Sequence, residues 1–281
     1  MIDLLATMQP ANYSEQVLMH GRQELVVLGT GCLITADGPI DGWARDIWRL
    51  NDADVNAAVD TYKAALQGDC TADIAEILMD DGIDVDELLQ EPGGGRDTIT
   101  RSDVTELIAA ASLLQDGWEP EELHMPNIPK MARAKSDSGV DIFGVTLADG
   151  EQLELFNADY MVIASVKHTV HEQSSSDVKS KLLSSLTKEL TTAYMMKQLR
   201  VLNGRLKAEG KSDNEAKRIY LFLRSFPDPD YVHLMAIAAI DPDLEEDLRG
   251  KVKTLPALGD SKKTFRTLLI PDLRSLHEKC P

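Results

Sequence analysis

Two strand-like runs share one short connection, and that pairing restricts the fold more than any other feature of the chain. Val140–Leu147 (VDIFGVTL) and the longer Leu153–Thr169 flank Ala148-Asp149-Gly150. Asp-Gly between branched apolar runs signals a hairpin. Before the hairpin, Asp103 followed three residues later by Glu106 has the form of a capping box. Val104, Leu107, Ile108, Ala111 and Leu114 then make one apolar stripe of a helix. After the hairpin, a helix of about thirty residues is expected from near Asp177 to Ala208, its buried side carrying Leu182, Leu183, Leu186, Leu190, Ala193 and Tyr194. Two further strands, Arg218–Arg224 and Val232–Ile240, flank a Pro-Asp-Pro-Asp turn. A helix near Leu244–Lys253 and a polar tail follow. The order helix, strand, strand, helix, strand, strand predicts an α/β fold with a mixed sheet and flanking helices.

Residues 1–97 read as a separate acidic, helix-rich part. Glu24–Ile34 resembles a strand entering a turn, and helical patches follow around Asp54–Leu66 and Ala72–Met79. Pro92–Arg96 (PGGGR) is the clearest linker signal, so the chain divides into 1–97 and 98–281. Charge follows the same division. Met1–Met125 holds 25 acids against 6 bases, a net of −19, whereas Pro126–Pro281 holds 22 acids and 23 bases. Lys179–Arg224 alone carries 11 bases and 4 acids. A net charge of −18 argues against nucleic acid as a partner, but a local positive face is what a phosphate backbone requires. The plainer account of the same lysines is the solvated side of a helix.

With 43% hydrophobic and 27% charged residues, the chain can form a packed core. Cys32, Cys70 and Cys280 are scattered and odd in number, which predicts no disulfide framework and a reducing cytoplasm. The opening residues lack the pattern of a secretory leader, and no apolar run approaches the ~18 residues of a membrane span.

Asp141 lies near the start of the first hairpin strand and Lys167 near the end of the second. Side chains alternate across a strand, so Ser165 and Lys167 share a face that can meet Asp141. Phosphodiester hydrolysis uses carboxylates to hold Mg²⁺ and a cation beside the attacking water. The set resembles the PD-(D/E)xK nuclease superfamily. More narrowly, KMARAKSDSGVDIFGV, then FNADYMVIASVKHT, then a long basic helix resembles the nuclease subunit of the bacterial Hachiman anti-phage system and its relatives, over roughly Asp103–Arg224.

That resemblance implies a metal-dependent DNA endonuclease of an antiviral defence system. Asp141 and Glu106 would hold Mg²⁺ or Mn²⁺, Lys167 would orient or deprotonate the water, and a helicase ATPase would be the protein partner. The DNA backbone would lie against Lys130, Arg133, Lys135, His168, Lys179, Lys181 and Lys188. Ser165 departs from the pattern, because the family carries Glu or Asp there, and a hydroxyl is a poor substitute for a charged ligand. Glu106, Glu172 or Glu189 would have to fill the gap. The departure supports an alternative: a non-cutting module on the same fold that binds nucleic acid or restrains the helicase. The acidic first part would then dock the partner or shield the cleft.

Other signals are weaker. Gly29-Thr30-Gly31 follows a strand-like run without the rest of a dinucleotide fingerprint, so it reads as a tight turn before it reads as a nucleotide site. His168 and His171 are spaced HxxH but have no cysteines near them to suggest zinc. Asp80–Glu91 lacks the ligand spacing of a calcium loop.

Overall fold

The computed structural model describes residues 17–18, 23–24, 32–67, 96–114, 122–124, 141–170, 175–189, 211–223, 230–256 and 262–279, with residue 258 and helical positions between 195 and 207. The strands are β1 (Val17–Leu18), β2 (Gln23–Glu24), β3 (Cys32–Ile40), β4 (Trp43–Arg49), β5 (Glu122–His124), β6 (Ile142–Thr146), β7 (Tyr160–Thr169), β8 (Val232–Ile240) and β9 (Lys262–Leu269). The helices are α1 (Asp52–Gln67), α2 (Arg96–Leu114), α3 (Ser175–Glu189), α4 (Asp213–Arg218) and α5 (Glu245–Lys251). All nine strands join one sheet in the order β2-β1-β5-β6-β7-β8-β9-β4-β3. Strands β7, β8, β9 and β4 run parallel to one another, while β5, β6 and β7 form an antiparallel meander. The fold is therefore α/β with a mixed sheet, as the sequence predicts.

Helices cover both faces of the sheet. On one, α1 and α2 pack Val55, Val104 and Ile108 against Ile142, Val162, Ala164, Val166, Met235 and Leu268. On the other, Leu182 and Leu186 of α3 and Leu248 of α5 meet Ala236, Ala238, Ile240 and Phe265. Two-sided cover explains why β8, VHLMAIAAI, is buried at every position and shows no alternation. The alanines of β8 let α3 approach the sheet closely.

Two buried arginines fix the connections. Arg266 on β9 is almost wholly enclosed. Its Nε donates to Asp46 Oδ1 at 3.0 Å and its Nη2 to Asp46 Oδ2 at 2.8 Å. Nη1 donates to the Ser112 carbonyl and hydroxyl near the end of α2, at 2.8 and 3.2 Å. The guanidinium also lies 4.7 Å from the centre of the Trp48 ring. The second, Arg218, ends α4. It donates to the Ala148 carbonyl, lies 3.8 Å from Asp159 and sits over the Phe156 ring. Asp159 in turn accepts from the Ala148 and Phe156 amides at 2.7 and 3.0 Å, so the connection 147–159 is pinned from within.

Several expectations are corrected. Residues 32–67 do not form a helix-rich part with a separate core. The β3–β4 hairpin enters the common sheet through β4–β9 pairing, and α1 packs into the same core as α2. Its turn is Asp41-Gly42, with both residues at positive φ, so this Asp-Gly makes a tight hairpin whereas Asp149-Gly150 lies in a longer connection. The capping-box pair that starts a helix here is Asn51 and Asp54, each side chain accepting from the other's amide. Asp103 lies inside α2, which begins at Arg96. The long run before Thr169 becomes a strand only at Tyr160. Residues 218–223 are helical, because Ser212 and Glu215 form a capping box that starts α4, and a 3-10 turn, Ile219–Leu223, continues it. The polar tail contains β9, a strand inside the sheet. Of the long helix expected to run to Ala208, α3 covers the first part and helical positions recur between 195 and 207.

Replacing Arg266 with Met leaves Asp46 and the Ser112 carbonyl unpaired under α2. Breaking a buried pair from one side costs about 3–5 kcal/mol. Urea unfolding should show a loss of that size, and adding Asp46→Asn should recover part of it.

His233 is buried and its ring Nε2 lies 2.8 Å from the Thr264 hydroxyl. Burial, then the charges of Lys262 and Arg266, hold its pKa down to about 3. The unfolded imidazole binds a proton near pH 6.5, so this stability is complete above that value and is lost as pH falls towards 3. The unfolding free energy of His233→Gln should therefore decline less steeply between pH 7 and pH 4 than that of the parent chain.

Candidate functional site

The hairpin register sets the chemistry. Ile142 pairs with Ala164 and Thr146 with Tyr160 across β6 and β7, and the Asp141 amide extends the ladder by donating to the Ala164 carbonyl at 3.2 Å. Asp141 is thereby held beside Ser165, Val166 and Lys167. Its Oδ2 accepts from the Val166 amide at 2.6 Å, the Lys167 ammonium at 3.1 Å and the Ser165 hydroxyl at 3.2 Å. The Lys167 ammonium also donates to the Val166 carbonyl at 2.9 Å. Asp141 is buried and Ser165 wholly so, whereas the Lys167 side chain keeps 31% exposure. The expected juxtaposition of Asp141, Ser165 and Lys167 is present.

Lys167 opens into a pocket of about 390 Å³ against α3, lined by Lys167, Ser180, Lys181, Ser184 and Ser185. Ser180 and Ser184 are one helical turn apart, as are Lys181 and Ser185. The buried Leu182 and Leu186 orient this side of the helix toward the sheet edge. The serines were not among the sequence candidates. Their i, i+4 spacing beside the apolar stripe is the signal that marks them.

Glu106 and His168 do not join this set. Strand alternation puts Asp141, Ser165 and Lys167 on the α3 face, with Phe143 and Ile163. Glu106 belongs to α2 on the opposite face, buried, with its Oε1 accepting from the Ser102 hydroxyl at 2.9 Å. His168 alternates with Lys167 and so lies on the Val166 side, toward α2. The pairing of Asp141 with Glu106 as metal ligands is accordingly corrected: the sheet stands between the elements that carry them. Lys179 and Lys181 lie on α3, Lys181 exposed. Lys188 is on the same helix, its side chain outside the described residues. Lys130, Arg133, Lys135, His171 and Glu172, the Gly29–Gly31 turn and Asp80–Glu91 also lie outside them.

The donor set does not suit a divalent metal. Among the described residues no three acids, histidines or cysteines come together as a metal group. The one carboxylate of the cluster already receives three donors on a single oxygen, and the third member, Ser165, is a neutral hydroxyl. An entering dication would also meet the Lys167 ammonium, and like unit charges at 4 Å repel by about 4 kcal/mol at an effective dielectric near 20. No protein-family model and no curated protein matches this sequence. Among the described residues no helix is long and apolar enough to cross a membrane.

Ser165→Asp tests this account of the cluster. Without metal, a second buried carboxylate beside Asp141 should lower stability by on the order of 2–4 kcal/mol. Mn²⁺ should restore part of that loss in the variant and leave the unfolding midpoint of the parent chain unmoved. A variant indifferent to Mn²⁺ would show that Ser165 and Asp141 do not share a site.

Proposed function

We propose that this chain is a nucleic-acid-binding module on a PD-(D/E)xK-like core, one that holds a DNA backbone along α3 and does not cut it. One observation carries the reading: Lys167, paired with Asp141, lines a pocket that a second lysine, Lys181, also lines. Support for the nuclease-like core comes from element order. Helix α2, the meander β5-β6-β7 and helix α3 follow one another in sequence, and β8, which comes after α4, lies parallel beside β7. The hairpin of that core bears the acid and the lysine that the resemblance requires. Ser165, buried and hydrogen-bonded to Asp141, favours binding over hydrolysis.

The alternative is a Mg²⁺- or Mn²⁺-dependent deoxyribonuclease. The adjacency of Asp141 and Lys167 favours it, and it requires an acid from outside the described cluster. The resemblance further suggests a cytoplasmic role in antiviral defence beside a helicase, with the acidic first part as the docking surface. Plasmid incubation with Mn²⁺ separates the two readings. Intact plasmid is expected from the parent chain, and cleavage that disappears in Lys167→Ala would establish the nuclease.

Binding itself has a salt signature. Each phosphate contact on duplex DNA contributes about −0.9 to the slope of log K against log salt. Reversing Lys179, Lys181 and Lys188 to Glu should abolish DNA retention in a gel-shift assay while circular dichroism stays the same. Undiminished affinity in that triple variant would remove α3 from the interface.

A further inference from the structure

We infer that Lys167 takes the place of a metal ion, so that the pocket seats one phosphodiester directly on Lys167 and Lys181 with no divalent cation between. The seat follows from the pocket alone; only the identification of the diester as nucleic-acid backbone rests on the function proposed above.

An ammonium has three N–H donors. Two of Lys167's are accounted for, by Asp141 Oδ2 at 3.1 Å and the Val166 carbonyl at 2.9 Å. These contacts anchor the head of a side chain that otherwise has four flexible bonds, and they leave the third donor for the pocket. The site is thus organised before any ligand arrives, which lowers the entropy lost on binding. Asp141 neutralises one of the two lysines. Lys167, Lys181 and Asp141 together leave one positive charge, which balances the single negative charge of a diester. A phosphomonoester or pyrophosphate would bring a second charge with no partner in this set. The hydroxyls of Ser180, Ser184 and Ser185 rotate freely about Cβ–Oγ and can each donate to a phosphate oxygen. The volume, about 390 Å³, is at the small end of ligand pockets and open enough for a chain to continue out of it.

A metal on Asp141 Oδ2 would have to displace this arrangement. Mg²⁺ coordinates oxygen at about 2.0–2.1 Å. Reaching Asp141 Oδ2 at that distance would mean evicting the ammonium and the Val166 amide hydrogen bond. The seat is made of side chains alone and needs no ion to be supplied, so it works equally well under chelation.

The dinucleotide d(TpT), with one phosphodiester and no terminal phosphate, is the probe. Titration into the full chain, followed by NMR, should show one saturable site with the same affinity in EDTA and in Mg²⁺. Ser184→Asp adds a carboxylate at an exposed helix position, so folding should be unaffected. It should weaken d(TpT) by about tenfold, the ratio that corresponds to 1.4 kcal/mol. Lys181→Glu should weaken it at least as much. Binding that appears only with Mg²⁺, no binding in either buffer, or unchanged affinity in Ser184→Asp would each overturn the inference. If d(TpT) fails but duplex DNA still binds with steep salt dependence, nucleic-acid binding survives and the seat does not. If d(TpT) binds and duplex DNA does not, the seat stands and the nucleic-acid reading falls.

Discussion

A single guanidinium ties β9 to β4 and to α2. Arg266 places a full charge in the interior of a three-layer fold, where it would be very costly without partners. Asp46 supplies a bidentate carboxylate, the Ser112 carbonyl and hydroxyl take the other edge, and the Trp48 ring lies across the plane. The partners come from β4 and from α2, while the arginine comes from β9. The parallel alignment of β9 with β4 then extends the sheet on one side of β8, so β8 becomes an interior strand and is buried at every position. The cover that β8 needs is provided by α3, and α3 forms one wall of the pocket.

The site repeats the same physics on a smaller scale and with a different outcome. Asp141 is buried and charged, and it draws three donors onto one oxygen. Arg266 and Asp46 consume each other's capacity and leave a structural link. At Asp141 the partner lysine is long enough to satisfy the acid, bridge back to its own strand and still reach an open pocket. One ion pair is closed and the other has a hydrogen-bond donor to offer.

The sequence made the hairpin legible because two apolar, branched runs flank a connection containing Asp-Gly, and the alternation of side chains along a strand brings Asp141, Ser165 and Lys167 to one face. Strand β8 was legible from its apolar run, which only His233 interrupts. Strand β9 was not, since KKTFRTLL reads as polar until Asp46 is known to neutralise Arg266. Residues 219–223, IYLFL, read as a strand because their aromatic and branched side chains favour one. The capping box at Ser212 and Glu215 lies upstream of them and decides the matter for a helix. Glu106 enters the site through the resemblance and His168 through its place next to Lys167 in the sequence. Spacing does not say which side of a sheet a helix will cover, and both residues fall on the other side.

The cluster of buried Arg218 and Asp159 with half-buried Phe156 has a role beyond tying down a surface connection. Register between β6 and β7 determines which residue of β7 stands opposite Asp141, and a slip of one position would exchange the two faces of the strand. His168 or Val166 would then replace Lys167 in front of the acid, and the lysine would point at α2. A connection as long as 147–159 could accommodate either alignment. Anchoring it to a rigid guanidinium makes it a frame marker, in the way that a start signal sets the phase of a message. The identity of the charged pair at the pocket is thus decided at the far end of the hairpin, by residues that never touch it.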